Sequence, residues 1–161
     1  MKKDTHKIII GRAEAIDFVD QAVLSVPAKT DTGAYRSSVH ASKIKENADG
    51  TLSFYLLEGH PGTPVTGKKI TTSKYTIVTV INSFGHREER FEVKLKVKLG
   101  PKIMPVSFSL SNRSKNIYPV LLGRKLLNNR FLVDTSQSGL DRKVLKTDFG
   151  IDFPIDEEEG R

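Results

Sequence analysis

The stretch of the sequence best suited to chemistry is AKTDTGAYRSSVHA, residues 28–41. In it Asp31 is followed by Thr32, Gly33 and Ala34. A carboxylate can act as a general base on water, but it then needs a partner that serves as an acid at the same pH. Two carboxyl groups held together meet this need, because they cannot both ionise and therefore share one proton. The same residue types also form ordinary exposed turns, so the rest of the chain must decide.

Within this stretch we assign the catalytic role to Asp31, with Thr32 and Gly33 shaping the loop around it. Glycine lets the backbone turn tightly and leaves the carboxyl group exposed at the end of a strand. The hydroxyl group of Thr32 is suited to hydrogen-bond across to its counterpart in a second loop of the same kind. The segment that follows the loop is polar, and we interpret it as helix-like.

Other kinds of catalytic site find little support in the sequence. There is no cysteine, which excludes thiolate chemistry and cysteine-rich zinc sites. No H-E-x-x-H, phosphate-binding loop or G-x-S-x-G motif occurs, so neither metal nor serine chemistry is indicated, although Ser37 and Ser38 lie close to Asp31. We interpret the four histidines as surface or turn residues: His6, His40, His60 and His86. We therefore expect no metal and no cofactor.

The composition is that of an ordinary globular chain. Its 161 residues suit one domain, and 37% are apolar and 28% charged. The first residues, MKKDTHKIIIG, contain three apolar residues in a row, which is too short for a signal peptide, and no later run approaches a membrane span. We expect a soluble cytoplasmic protein with no membrane partner.

The charge is strongly positive and unevenly distributed. The net charge is +7, and the last seven residues, IDEEEGR, hold four acids and one arginine, so the remaining residues carry +10 by the same count. A positive field attracts acidic peptides, nucleic acid or anionic lipid. We expect residues 1–154 to form the domain and residues 155–161 to form a disordered acidic tail. An alternative is that the tail occupies the basic cleft of its own chain as a pseudo-substrate.

The apolar pattern is mostly that of β-strands, and we count about eight of them. They lie in HKIIIG, AVLSVPAKTD, LSFYLL, KYTIVTVI, EERFEVKLKVKL, PVSFSL, YPVLLG and RFLVD. The clearest lies in EERFEVKLKVKL, where apolar residues from Phe91 to Leu99 alternate with Glu92, Lys94, Lys96 and Lys98. This period of two indicates a half-buried strand with a solvated charged face. Together with KYTIVTVI and the turn NSFGHR it predicts a long hairpin. The sequence therefore predicts an all-β fold, a closed β-barrel with one short C-terminal helix in RKLLNNR.

A second stretch gives the D-T-G motif its context. YPVLLGRKLL, residues 118–127, reads as an apolar strand that ends at Gly123, followed by a helix that opens with Arg124. The pair formed by Asp31-Thr32-Gly33-Ala34 and Leu121-Leu122-Gly123-Arg124, in that order, resembles aspartic proteases of the retroviral type. In that class the downstream strand braces the catalytic loop from beneath. The resemblance implies one half of an acid-protease fold.

Three longer stretches, IGRAEAIDF, AKTDTGAYRSSVHASKI and NRSKNIYPVLLGRKLLNNRFLVD, resemble a bacterial and archaeal retropepsin-like family long labelled "ATP-dependent zinc proteases". The resemblance covers roughly residues 8–138. Members are encoded near, or fused to, ligases that attach glutamates to proteins. The resemblance implies an aspartic peptidase with the D-T-G aspartate as catalyst, whereas the label fits poorly because neither a zinc motif nor an ATP-binding loop is present.

This chain departs from the family pattern after D-T-G-A, where Tyr35 and Arg36 stand in place of an arginine and a small residue. Retroviral enzymes carry an acid at this point. A base near the cleft favours an acidic substrate, and we expect an acidic or glutamate-modified protein or peptide. The candidates for binding it are Lys29, Ala34, Arg36 and Arg124, although Arg124 also suits a structural role in bracing the helix and the loop.

One D-T-G supplies half of a carboxyl pair, so we expect a symmetric homodimer in which the two Asp31 side chains meet on the axis. FLVDTSQSG offers Asp134 for a second loop within one chain. We interpret it instead as a closing strand and a polar turn, since no apolar-apolar-Gly strand follows it. A hairpin between residues 51 and 99 should cover the substrate, with its tip at residues 59–67 or at residues 84–85.

The alternative function is a non-catalytic binding module, in which the basic β-barrel holds nucleic acid or an acidic protein tail and cleaves nothing. The face formed by Lys94, Lys96 and Lys98 and the net charge support it. The D-T-G and Leu-Leu-Gly-Arg motifs are features that a binding module does not need.

Overall fold

A computed structural model describes residues 6–63, 68–82 and 84–140. The expected boundary at residue 154 and the acidic tail lie outside these residues. The described part holds no helix long and apolar enough to cross a membrane.

The described chain is almost entirely β-structure, as predicted. It has eleven strands and a single short helix, α1 (Arg124–Leu127). The strands, in chain order, are β1 (Ile8–Ile10), β2 (Ala13–Phe18), β3 (Val23–Thr30), β4 (Ser37–Glu46), β5 (Leu52–Leu56), β6 (Lys68–Thr72), β7 (Thr76–Ile81), β8 (Arg87–Leu99), β9 (Lys102–Ser111), β10 (Val120–Leu122) and β11 (Phe131–Val133).

Six strands close into a barrel. The order β10-β3-β2-β8-β9-β4 returns to its start because β10 pairs with β3 in parallel and with β4 in antiparallel fashion. Strands β5 and β6 extend the sheet from β4, and β7 pairs with β8. Beside the barrel, β1 and β11 form a parallel two-stranded sheet. Closure leaves few free sheet edges, and it fixes β10 between the strands on either side of the D-T-G loop.

The barrel core follows the alternating pattern of the strands. In β8 the side chains of Val93, Leu95, Val97 and Leu99 are buried and those of Lys94, Lys96 and Lys98 are exposed, as the period of two predicted. Phe18 and Phe108 pack against each other from different strands, with ring centroids 5.7 Å apart. Apolar burial of this kind is the main favourable contribution to folding.

Three strands escaped the sequence analysis: β2, β4 and β6. The segment after the D-T-G loop, interpreted above as helix-like, is the ten-residue strand β4. Its first five residues are all buried, among them Ser37, Ser38 and His40. These polar side chains can be buried because each forms a hydrogen bond within the fold. The polarity of the segment was therefore wrongly taken to indicate a helix.

The two loops considered as the cover of a substrate differ in their attachment. The predicted hairpin β7–β8 forms, and its tip holds Phe84, which is 85% exposed, and Gly85, whose φ is 79°. By contrast, His60 in the loop after β5 is buried and accepts the backbone N–H of Gly62. The described part of that loop is therefore packed onto the barrel, whereas the β7–β8 tip projects from it.

Candidate active site

The D-T-G loop (residues 31–36) leaves β3 at a point held from two sides. The backbone N–H of Thr30 donates to the carbonyl of Arg12, and its hydroxyl donates to the carbonyl of Gly11, both at 2.9 Å. The backbone N–H of Asp31 donates to the carbonyl of Leu122 in β10 at 2.9 Å. The position of the Asp31 backbone is therefore set by separate parts of the barrel.

The Asp31 carboxylate stands at the partly exposed start of the loop. Its Oδ1 accepts the backbone N–H of Gly33 at 3.0 Å, and its own carbonyl accepts that of Ala34 at 3.3 Å. These two bonds close a tight turn through Thr32, whose hydroxyl makes no hydrogen bond within the described chain. A Cβ at position 33 would lie 3.3 Å from Asp31 Oδ1, so glycine keeps this approach open. The arrangement presents one oriented carboxylate to solvent.

Strand β10 and the start of α1 brace the loop from beneath, as the resemblance implied. The backbone N–H of Arg124 donates to the carbonyl of Ala34 at 2.8 Å, and that of Lys125 donates to Tyr35 at 2.9 Å. Gly123 makes this contact possible, because a Cβ there would lie 2.5 Å from the Arg36 carbonyl oxygen. Its N–H also donates to Ser37 Oγ at 3.0 Å. The Leu-Leu-Gly-Arg motif thus serves as the floor of the D-T-G loop.

Arg124 contacts the loop with its side chain as well. Its Nη1 donates to the carbonyl of Thr32 at 3.1 Å, and its guanidinium lies 5.9 Å from the ring of Tyr35. The guanidinium of Arg36 lies 5.8 Å from the same ring. Tyr35, which the sequence analysis did not assign, is therefore within 6 Å of two cations and is 51% exposed.

Arg36 points to β8, where its Nη1 forms an ion pair with Glu92 Oε2 at 2.6 Å. Lys125 Nζ lies 3.8 Å from the other oxygen of the same carboxylate. The alternating pattern placed Glu92 on the solvated face, and that prediction was wrong: Glu92 is buried beneath these two cations. The alternating sequence pattern of β8 could not reveal the burial of Glu92, because its two cationic partners come from the D-T-G loop and from α1.

The remaining assigned residues lie close to the same loop. Lys29 precedes Asp31 by two positions in β3, and its ammonium lies 5.6 Å from the centre of the Tyr118 ring. Ala34 is partly exposed and belongs to the turn that α1 braces. Ala34 and Arg124 are thus in direct contact within the turn, whereas the Arg36 side chain is directed to Glu92 and that of Lys29 to Tyr118. Their role in binding substrate stays a prediction.

Two histidines, interpreted above as surface or turn residues, lie inside the protein: His60 is in a turn, as expected, whereas His40 belongs to strand β4. His40 and His60 are buried, with ring centroids 5.5 Å apart. His40 Nδ1 accepts the backbone N–H of Arg113 at 2.8 Å, so its Nε2 carries the proton and donates to the Glu58 carbonyl at 2.7 Å. Burial lowers the pKa of both imidazoles, although bonds to backbone carbonyls oppose the shift. The pair ties β4 to the loops on either side of it.

Arg113 links this histidine pair electrostatically to the D-T-G loop. Its Nε donates to the Tyr118 carbonyl at 3.0 Å. Burial and the nearby Arg90 lower the pKa of Arg113, whereas the charge of Asp31 raises it. Arg113 is thus a partly buried cation within the field of the candidate catalytic carboxylate.

The residues that the structure describes do not fit a zinc ion, although the family label mentions zinc. The described residues contain no group of three or more histidine, cysteine or acidic side chains able to hold a metal. The histidine pair uses its ring nitrogens for backbone groups: His60 Nδ1 accepts the N–H of Gly62, and its Nε2 bonds the carbonyl of Asn116. The arrangement offers no free nitrogen ligand at this pair.

Asp134, the other aspartate considered, lies in a local turn after β11. Its Oδ1 accepts both the hydroxyl and the backbone N–H of Ser136, at 2.6 and 2.9 Å. These bonds lower its pKa. The geometry is that of a polar turn closing a strand.

A closed six-stranded barrel with a D-T-G loop resting on an apolar-Gly strand defines the retropepsin-like class of aspartic peptidases. Comparison with family models gives the particular family: the model described as RimB-like, "Retropepsin-like aspartic endopeptidase RimB", matches residues 9–143. The chain belongs to this family.

Curated relatives carry a different name. The chain is 28% identical over 93% of its length to a protein of Desulfotalea psychrophila, and 33% identical over 83% to one of Shewanella pealeana, both named "Probable alpha-L-glutamate ligase". It spans 33% and 30% of the length of these proteins. Among solved structures, it is similar to Lpg0085 of Legionella pneumophila, a protein described as of unknown function. The identity is 30%, the TM-score 0.65, and the match covers 83% of this chain and 97% of that one.

Proposed function

We propose that the chain is an aspartic peptidase in which Asp31 activates a water molecule to hydrolyse peptide bonds. The observation that carries the proposal is the D-T-G turn itself, with the Asp31 N–H held by Leu122 and its carboxylate oriented by Gly33 at the surface. The close approach of Gly123 to the carbonyl groups of Tyr35 and Arg36 supports the proposal, because it fixes the loop that carries the carboxylate.

The proposed enzyme is a homodimer, because one chain contains a single D-T-G and the reaction needs two carboxyl groups. An apolar surface suited to self-association lies on the β1–β11 sheet. Ile9 and Leu132 are paired in register and are 61% and 53% exposed. The residues after β1 contact Thr30 directly, so this surface adjoins the strand that leads into Asp31.

In the proposed reaction a water molecule sits between the two Asp31 carboxyl groups, one ionised and one protonated. The ionised group takes a proton from the water as its oxygen bonds to the substrate carbonyl carbon. The protonated group gives its proton to the developing oxyanion. The tetrahedral adduct then collapses: the C–N bond breaks as the carboxyl group that took the water proton passes it to the leaving nitrogen. A hydroxyl group of the adduct gives its proton to the other carboxylate as the new carbonyl forms. The two carboxyl groups end with one proton between them, and no cofactor takes part.

The β7–β8 hairpin is the proposed cover over the substrate. Its projecting tip and the exposed apolar side chains of Ile77, Ile81 and Phe84 suit a contact with a bound peptide. The loop after β5 is less suited, because its described part is fastened to the barrel through His60.

For the substrate we propose an acidic, glutamate-rich peptide or protein segment. The net charge of +7 favours such a ligand, and the curated relatives are named as probable glutamate ligases. In this chain Arg36 and Arg124 are engaged with Glu92 and with the Thr32 carbonyl, so both also hold the loop in place.

The test compares the wild-type protein with Asp31→Asn on oligoglutamate and mixed peptide libraries, with product formation followed by mass spectrometry. We expect cleavage by the wild type, no turnover by the variant, and retained affinity for the acidic peptide. Binding by both proteins with cleavage by neither would contradict the peptidase and favour the non-catalytic binding module.

A further inference from the structure

On one edge of strand β8 the pairing with neighbouring strands is interrupted. Within the described residues, β7 pairs with this edge as far as Glu92, and β2 pairs with it from Val97 onward. The N–H of Val19 also donates to the Lys96 carbonyl at 2.9 Å. In the part of the chain that the structure describes, residues 93–95 have no neighbouring strand on this edge, whereas β9 pairs with residues 92–99 on the opposite edge.

The backbone of Lys94 faces this interruption. Alternate residues of a strand direct their N–H and C=O groups to opposite edges, so Lys94 uses the same edge as Lys96. The register supports this assignment. Lys96 lies opposite Pro105 of β9, and because proline has no N–H to donate, the backbone groups of Lys96 are directed away from β9. The backbone N–H and C=O groups of Lys94 are therefore available to pair with an added strand.

The interruption opens on a cavity of about 690 Å³, a size typical of binding sites. Part of its wall is apolar, formed by Phe54, Val93 and Leu95. Three lysines, Lys74, Lys94 and Lys125, also line it. A concave surface that combines apolar area with a few polar groups is suited to a ligand rather than to bulk solvent alone.

The charge of this cavity favours an anion. Among the described residues that line it, Glu92 is the one acid, and this carboxylate is already paired with Arg36 at 2.6 Å and lies 3.8 Å from Lys125. Gln21 also lines the cavity, and its Oε1 is buried without a hydrogen-bond partner in the described chain. A buried acceptor of this kind favours a ligand that brings an N–H or O–H group.

We propose that the cavity beside residues 93–95 binds an extended acidic peptide segment. The peptide backbone pairs with Lys94 as an added strand, an N–H group reaches Gln21 Oε1, and carboxylates contact Lys74 and Lys94. The interruption is about 10 Å long, which is room for about three extended residues. That this segment is a remote part of the substrate rests on the proposed function, whereas the binding does not.

The test uses the Asp31→Asn protein, so that no cleavage occurs, and N-acetylated hexa-L-glutamate at low salt. Calorimetry gives the Kd, and amide chemical shifts report where the peptide lies. We expect saturable shifts at Gln21 and residues 93–95, and a Kd raised roughly fivefold or more in K74Q/K94Q. The matched control is K96Q/K98Q, which removes two charges farther along β8, outside the cavity, and should change the Kd less than twofold.

Equal weakening by the two double variants would overturn the inference, because the attraction would then be diffuse. Shifts confined to residues 31–36 would overturn it as well, as would an octathymidylate that binds the cavity as tightly as the peptide. Cleavage by the wild type with equal binding by both double variants defeats this site but leaves the peptidase standing. If K74Q/K94Q alone loses affinity for the peptide and the wild type cleaves nothing, the binding site stands and the proposed peptidase fails.

Discussion

Arg36 forms a 2.6 Å ion pair with Glu92, and this contact joins the end of the D-T-G loop to the middle of the longest strand of the barrel. The Glu92 side chain is 10% exposed and that of Arg36 is 31% exposed. The base at position 36, which the sequence analysis assigned to the substrate, has an intramolecular acid as its partner. The loop that carries Asp31 is thereby fastened to β8 as well as to β10.

Replacing Glu92 with Gln should lower the free energy of unfolding by about 1–2 kcal/mol. The substitution keeps the size of the side chain but leaves Arg36 and Lys125 without their carboxylate. The loss should be smaller than for a fully buried pair because both cations are partly exposed. Urea unfolding measures it. The control is E89Q on the exposed part of β8, which should change stability by less than about 0.5 kcal/mol; equal effects would show that the pair contributes nothing.

Replacing Gly123 with Ala should destabilise the protein by about 1–3 kcal/mol, because the new Cβ would lie 2.5 Å from the Arg36 carbonyl oxygen and 2.8 Å from that of Tyr35. Backbone atoms on both sides must move, so we also expect chemical-shift changes throughout residues 31–36. The control is G50A, where φ is 84° and nothing lies within 4 Å of the added Cβ. It should cost about 1 kcal/mol through backbone strain and leave the D-T-G loop unchanged; an undisturbed loop in G123A would contradict the proposed floor.

The sequence indicated those features that depend on local pattern. The alternation in β8 from Val93 to Leu99, the hairpin with β7 and the pairing of the D-T-G and Leu-Leu-Gly-Arg motifs were confirmed. The polar strand β4 was missed because its buried hydroxyls and His40 form hydrogen bonds with β9, with Gly123 and with a neighbouring loop. The burial of Glu92 was missed for the same reason. The alternation of apolar and polar residues along the sequence does not show which polar groups find buried partners elsewhere in the fold.

The histidine pair predicts a dependence of stability on pH. The pKa values of His40 and His60 are lowered below 6.5, chiefly by burial. The unfolded chain therefore binds more protons than the folded one between the folded pKa and 6.5. Stability from the neutral pair is present above pH 6.5 and is lost as the pH falls through 6.5 toward the folded values. The slope contributed by each histidine is at most about 1.4 kcal/mol per pH unit.

Chemical denaturation at pH values from 7.5 to 5 measures this effect. His60→Gln keeps a donor for the Asn116 carbonyl but cannot titrate, so its decline in stability should be shallower than that of the wild type. His86, in the exposed β7–β8 turn, offers the matched control, and H86Q should reproduce the wild-type slope. Parallel curves for H60Q and the wild type would exclude His60 as a source of the pH dependence.

If the proposed peptidase selects its substrate by attraction between its positive charges and carboxylates, its preference for acidic peptides must weaken as salt is added. The Debye length falls from about 10 Å at 0.1 M to about 3 Å at 1 M ionic strength, so attraction between the basic barrel and a distant glutamate is screened. We expect kcat/KM for a glutamate-rich peptide to exceed that for a neutral peptide of equal length at low salt, and the ratio to approach one at 1 M. The neutral peptide is the internal control, since its rate should change little. Equal rates for both peptides at every ionic strength would show that the positive charge of this chain has no part in choosing the substrate.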